Sequence, residues 1–473
     1  MAQENNSRFA ILATLLAFGL VGGISLVLWA ITSRVNRPVS IQSQGGSIAS
    51  DSRLPEKMRS RISLGEETLF NNPSEKKEEG VEAISQGNYG NAITALNASL
   101  EENPNDPETF IYRNNARIGD DQSHTIAVVI PTEANSNASL EILRGAAQAQ
   151  YDINRGNGID GAAIQLVLVN DENDPTVAKD IAKTLASDSS ILGVVGHYDS
   201  DVTLSAIPVY EQAKLVTITP VSTAVDLSGI SPYLYRTVPS DSFAAAALAA
   251  YMRYYRETDN AAIFYDGTSD MSSSLKTEFE SFVTAWGGDI VAEYDMSGSS
   301  FDPNVVLEAE AKGAKALMIA ASPSSLDAAA DVINTNENMS MVLGGDELYS
   351  HTLLQATGSN AQSLMVAVPW HLLSRDSEPE FVESSRSLWK GDVSWRTATT
   401  YDAVMSLAMA IKGDPSREGI KAALDESDFD FDSASGPVDF LPSGDRRQVD
   451  RLVEVQPGDR SGTGYDFVPF TID

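Results

Sequence analysis

The 473-residue chain contains no cysteine. That excludes a disulfide framework, thiolate metal sites and a lipid-modified cysteine anchor, and it is compatible with either redox compartment. Histidine is scarce: His124, His197, His351 and His371 are the full set, and no two stand at the H-x-x-x-H spacing of a zinc site. No G-x-S-x-G nucleophile elbow occurs. Positive charge is short, with 33 Lys and Arg against 66 Asp and Glu and a formal net charge of −33, which argues against nucleic acid as a partner. Residues 1–123 hold only 15 of the acids, so the acidity belongs to residues 124–473 and describes a strongly solvated surface.

Long apolar runs are rare too, with one exception. Phe9–Ile31 is uncharged throughout, long enough to span a hydrocarbon core of ~30 Å. It exceeds the apolar core of a cleaved secretory signal, and Trp29-Ala30-Ile31-Thr32-Ser33 is a poor cleavage site. Residues 9–31 therefore read as an uncleaved transmembrane anchor behind a short tail, residues 1–8. Arg34, Arg37, Arg53, Lys57, Arg59 and Arg61 come after the span, and charge alone would keep the large part of the chain cytoplasmic.

Residues 32–72 are rich in Ser, Gly, Gln and Arg without sustained periodicity and read as a flexible linker. Residues 73–120 turn helical. Val81, Ala83 and Ile84 precede the turn Gly87-Asn88-Tyr89, and Ala92, Ile93, Leu96 and Leu100 line a second helix that Pro104 stops. Gly87, Tyr89, Ala92, Ile93 and Pro104 resemble the tetratricopeptide repeat over about one and a half repeats. About three repeats are usually needed to stand alone, so a helical cap or spacer is the plainer reading and partner docking the alternative.

Leu192–Leu227 organises the rest. Two strand-length apolar runs, Ile191–Val195 and Leu215–Thr219, flank Asp201–Ala213, whose Val202, Ala206, Val209 and Tyr210 recur at helical spacing. This is a β-α-β unit with parallel strands. Alternating strands and helices extend the pattern on both sides, so parallel sheets covered on both faces are expected. Gly156-Asn157-Gly158-Ile159-Asp160-Gly161 fits G-x-G-x-x-G, but it comes after a helix and before a strand, the reverse of a pyrophosphate site, and reads as a turn.

Gly196–Leu227 resembles the branched-chain amino-acid (Leu/Ile/Val) receptor family of type I periplasmic binding proteins. The resemblance extends through Tyr235-Arg236-Thr237-Val238-Pro239-Ser240-Asp241 to a tail, Ser435–Phe440 with Arg451–Val455, that looks like the family's closing hairpin. It implies two α/β lobes joined by a hinge: residues 124–239 with 369–428 as lobe one, 240–368 with 429–473 as lobe two. It also implies export, which puts the bulk of the chain on the periplasmic or extracellular side of the plasma membrane.

The resemblance further implies an amino-acid ligand whose carboxylate lies on Ser200 and on Val221, Ser222 and Thr223, with its ammonium on Asp346, one carbon shorter than the family's glutamate. Neutral donors at helix N-termini and a partly desolvated carboxylate suit those two ends. Asp270 and Ser322 stand where the family places aromatics, which makes the pocket more polar and opens it to a small, polar or cationic amino acid or an amide. No cofactor, no metal and no enzymatic activity are expected. An ABC-type permease or a membrane sensor would be the partner. The alternative is a scaffold of an envelope complex that keeps the fold without the ligand. His197, Asp199 and Ser200 are neighbours, but adjacency at a strand end does not make a catalytic triad.

Overall fold

A computed structural model describes residues 55–133, 136–374 and 377–471. The expected membrane span Phe9–Ile31 lies outside the described residues. Among the described residues no helix is long and apolar enough to cross a membrane.

Two sheets form the frame. The first runs β1 (Ile62–Ser63), β2 (Ser123–Ile130), β3 (Ala163–Asn170), β4 (Ile191–Val195), β5 (Thr217–Thr219) and β6 (Leu234–Arg236), in spatial order β1-β3-β2-β4-β5-β6. From β3 to β6 every pairing is parallel. Consecutive residues of β2 bury on opposite faces. Ala127 and Val129 join one apolar cluster with Ile181 and Leu185, while Ile126 and Val128 join another with Ile142 and Leu143. A run that is apolar at every position is what burial on both faces requires. The second sheet holds β7 (Asn260–Tyr265), β8 (Asp289–Asp295), β9 (Ala316–Ala320), β10 (Met341–Gly344) and β11 (Leu364–Val368). After a separate hairpin of β12 (Asp430–Ser433) and β13 (Gly436–Asp439), the chain returns to it as β14 (Arg451–Pro457) and β15 (Tyr465–Pro469).

Both sheets are mixed rather than wholly parallel. β1 runs antiparallel to β3, and β14 runs antiparallel to both β11 and β15. The two parts of the supposed closing hairpin do not pair with each other: β13 pairs with β12, and β14 with β15. From Pro55 onward the stretch read as a linker is also built in. Glu56–Arg59 is a short helix, Ile62 is fully buried and Ser63 pairs with Leu168. A two-residue strand is too short to carry a periodic signal.

Helices Glu75–Ser85, Tyr89–Glu102 and Pro107–Ile118 come next, close to where the periodicity placed them. The first and third are tied together by Lys77, buried between Asp106 (2.9 Å) and Glu108 (2.6 Å). Glu108 Oε1 also accepts the Leu69 amide at 2.6 Å. The third helix is fastened to the first sheet. The Asn115 amide group donates to Leu64 O (2.9 Å) and Leu166 O (2.8 Å), and its oxygen accepts from Gln150 (2.8 Å). Asn154 bonds both backbone groups of Ile164. These amides occupy the edge of β3 that the short β1 leaves uncovered.

Helix Trp395–Ile411 returns to the first lobe and packs on Ser136–Arg155. Gly145 sets their approach, because a Cβ there would stand 2.2 Å from Thr397 O. Three segments connect the lobes: one after β6, one after β11 and one before β14. Arg446, fully buried, clasps two of them. It donates to Thr237 O (3.1 Å), Asp402 (2.7 Å), Ser435 Oγ (2.6 Å) and Gly436 O (3.0 Å).

Candidate functional site

The first-lobe wall comes from the turns after β4 and β5. Helix Ser200–Gln212 starts at the first of them. The buried Ser200 Oγ accepts the Ala224 amide at 3.2 Å, joining the two turns. Ser222 is buried and turned inward, where its Oγ donates to Tyr198 O (3.0 Å) and receives the Thr219 hydroxyl (2.9 Å). Val221 is buried as well. Thr223 differs. Its hydroxyl is buried, closes no full hydrogen bond and faces the Asp241 carboxyl. His197 belongs to the core: Nδ1 meets Asp171 at 2.7 Å and Nε2 meets the Tyr210 hydroxyl at 3.1 Å. With both ring nitrogens taken, His197 forms no relay to Ser200.

On the second lobe, β10 ends in Gly345-Asp346-Glu347. Asp346 keeps part of its surface open, and its carboxylate makes no hydrogen bond among the described residues. Burial pushes it well above its usual range; Arg396 opposes that shift, while Asp241, Glu347 and Asp450 reinforce it. The buried Glu347 reaches back across the cleft. Its Oε2 accepts from Arg396 Nη2 at 2.7 Å and from the Tyr198 hydroxyl at 3.1 Å. Burial alone would depress Arg396, but Tyr198, Glu347 and Asp346 outweigh it and hold the guanidinium charged. A groove of about 500 Å³ adjoins this pair, lined also by Leu140, Pro323, Tyr349 and His371. Asp346 and Thr223 are not among its walls.

The two positions expected to replace aromatics behave differently from each other. The Ser322 hydroxyl is committed to Asp266, which also accepts from Ser324 at 2.9 Å. Burial works against that carboxylate, yet the Ser322, Thr268 and Ser324 hydroxyls hold it below its usual range. Asp270 is exposed at the rim, where its amide donates to Asp201 of the opposite lobe at 3.1 Å. Beside it, Val225 N–H donates to Ser274 Oγ at 3.0 Å, a second contact between the lobes.

Residues 123–460 match the family described as periplasmic binding protein. The chain belongs to that family. Among curated relatives, an amino acid binding protein of Pseudomonas aeruginosa is 40% identical over 92 residues, 20% of this chain and 25% of its own length. The Leu/Ile/Val-binding protein of Escherichia coli K12 is 35% identical over 123 residues, 26% of this chain and 33% of its own. A Leu/Ile/Val-binding protein homolog of Brucella abortus is 26% identical over 180 residues, 36% of this chain and 48% of its own. The chain thus spans a quarter to a half of the curated relatives it matches. Solved structures extend the likeness to the whole fold. A leucine binding protein from Thermotoga maritima matches with a TM-score of 0.64 at 22% identity, covering 73% of this chain and 97% of its own. A branched-chain amino acid transporter substrate binding protein from Streptococcus pneumoniae, in complex with isoleucine, matches at 0.63 and 20% identity over 74% and 100%.

In this periplasmic binding protein, the structure brings Ser200, Val221, Ser222 and Thr223 together on one wall and sets Asp346 on the other. Asp270 stands at the rim, and Ser322 is engaged within its own lobe. Sequence reasoning did not single out Tyr198, Asp241, Glu347, Arg396 or Asp450. Two of these carry a local signal. Glu347 is the second of paired acids at a strand end, and Arg396 interrupts the otherwise uncharged Val393–Tyr401. Asp450 carries none.

Proposed function

We propose that the chain is an extracytoplasmic solute receptor. It captures an amino acid or a related small polar molecule between its lobes and presents it to an ABC-type importer or to a membrane sensor. The observation that carries this reading is the partly exposed carboxylate of Asp346 on one lobe, which takes no hydrogen bond from the described residues, with the buried Thr223 hydroxyl beside Asp241 on the other. An ammonium against Asp346 gives a charge-assisted bond of ~1.5–3 kcal/mol and relieves the burial penalty on that carboxyl. Ser200 and Thr223 serve the polar end of the molecule. Relatives named for amino acid or Leu/Ile/Val binding, and a fold shared with an isoleucine complex, support the same class. Residues 9–31 hold the receptor to the plasma membrane, with the lobes on the periplasmic side.

A second reading has one observation in its favour. The Glu347–Arg396 pair already spans the cleft as a ligand would, which suits an envelope scaffold that has dispensed with its solute. Thermal unfolding of the full-length chain in mild detergent, against a panel of amino acids, amides and polyamines, separates the two. A receptor gains ~2.7 kcal/mol at a ligand concentration a hundredfold above Kd. A flat response across the panel favours the scaffold.

A further inference from the structure

A cavity of about 380 Å³ lies where the cap helices Tyr89–Glu102 and Pro107–Ile118 meet the first-lobe helices Ser136–Arg155 and Pro379–Trp389. It shares no lining residue with the groove beside Glu347. Its volume falls within the ~300–1,000 Å³ of small-molecule sites. Leu100, Phe110, Tyr151 and Leu388 supply its apolar wall. The Phe110 ring meets Tyr151 edge-on at 5.7 Å and Trp389 at 5.3 Å, which holds the aromatic surface in place. Gln148, also in the wall, is fully engaged: its oxygen accepts from Ser385 (2.8 Å) and Trp389 (3.3 Å), and its amide group donates to Ser384 (2.9 Å).

The charge of this cavity runs against that of the chain. The whole sequence has 33 basic residues against 66 acidic ones, yet Arg113, Arg155 and Lys390 face Asp152 alone here. Asp152 is already committed, with one oxygen 3.3 Å from Arg155 Nε and the other accepting the Tyr401 hydroxyl at 3.2 Å. Arg113 has no such partner. Its guanidinium lies over the Phe110 ring, 4.1 Å from the centroid. Its Nε is buried without a hydrogen-bond partner, and its Nη2 reaches only the neighbouring Asn114 at 3.4 Å. Among the described residues no carboxylate offsets its charge, and burial together with Arg117 presses it down to about 10. An anion in the cavity would supply the missing counter-charge to this half-buried guanidinium.

We infer that the cavity binds a small organic anion, a carboxylate or a phosphate ester with an apolar body. The charge lies toward Arg113 and Lys390 and the body against Phe110 and Tyr151. Arginine's planar fork matches both kinds of anion. Because the walls come from the cap and the first lobe alike, an occupant fastens one to the other. The site stands apart from the cleft between the lobes and holds whether that cleft serves a receptor or a scaffold.

The test is calorimetric titration of the full-length chain in mild detergent at pH 7.5 and ~0.15 M salt, where long-range surface attraction is screened. The probes are phenylacetate, hexanoate, phenyl phosphate, the neutral phenylacetamide and inorganic phosphate. At least one organic anion is expected to bind tenfold or more tightly than both phenylacetamide and inorganic phosphate, and the tighter of carboxylate and phosphate ester identifies the head group. Arg113→Met, which keeps an apolar stem over Phe110, should weaken that anion about tenfold or more. Lys390→Gln, at an exposed side chain, weakens it in the same direction should Arg113→Met fail to fold. Phenylacetamide binding as tightly as the anions overturns the inference, as does binding that neither variant weakens. Inorganic phosphate binding as tightly as the organic anions means an adventitious ion only, and no binding by any organic anion removes the site altogether.

Discussion

Replacing Arg396 by Met tests the cleft directly. The guanidinium and the Glu347 carboxylate are almost fully enclosed and 2.7 Å apart, with Tyr198 on the same carboxylate. Arg396 and Tyr198 belong to the first lobe and Glu347 to the second, so this bond joins two bodies. Arg396→Met keeps most of the side-chain volume but leaves Glu347 buried, uncompensated and next to Asp346. Breaking a buried pair this way costs ~3–5 kcal/mol. The protein can escape that cost by parting the lobes and rehydrating Glu347. A penalty of ~3 kcal/mol shifts the open-to-closed ratio by roughly a hundredfold. Small-angle scattering of the ligand-free chain should therefore show a larger radius of gyration for Arg396→Met. The double variant Arg396→Met/Glu347→Gln, which removes the stranded charge, should return toward the parent. An unchanged radius, with a coupling energy below ~0.5 kcal/mol in the double-mutant cycle, would refute the pair as a tie between lobes.

Packing and the buried acids each give one more expected outcome. Gly145→Ala puts a methyl group against Thr397 O and forces helices Ser136–Arg155 and Trp395–Ile411 apart, for a loss of ~1–3 kcal/mol; a melting temperature equal to the parent's would contradict this. The second concerns pH. Asp241, at about 6 when folded and ~3.9 when unfolded, binds its proton more tightly in the native state, so its share of stability is present below pH ~4 and is lost as pH rises through about 6. His371, pushed down to about 4 by burial, works in the opposite direction over much of that range. The parent and Asp241→Asn are therefore compared at each pH by urea titration. The parent should lose ~1–3 kcal/mol relative to the variant between pH 4 and 7, and a constant difference would show that Asp241 does not titrate in this window.

Much of the frame was readable because buried parallel strands and amphipathic helices announce themselves. Ile191–Val195 forms a strand with the bounds of its apolar run, and Asp201–Ala213 was displaced by a single residue. Ile62–Ser63 was not readable, because its strand character comes from β3 rather than from its own pattern. Helices Pro379–Trp389 and Arg417–Leu424 were missed: they are short, and few of their residues are fully buried. At the cleft, the residues on the two first-lobe turns and Asp346 were named from the family resemblance, and the structure places the turns on one lobe and Asp346 on the other. Their roles were less so. Nothing in the order of residues says that Ser222 turns inward to bolt two turns together while its neighbour Thr223 is left unsatisfied. The acids that bear on Asp346 were hidden for a different reason: Asp241 and Asp450 stand far from it in sequence, on the first and last of the segments that connect the lobes.

The fastening of Asn115 and Ile62 to the edge of β3 makes the segment from Pro55 to Ile118 part of the first lobe rather than an appendage to it. The second lobe is joined to this enlarged first lobe through three connecting segments, so a hinge movement is expected to displace one lobe as a body against the other.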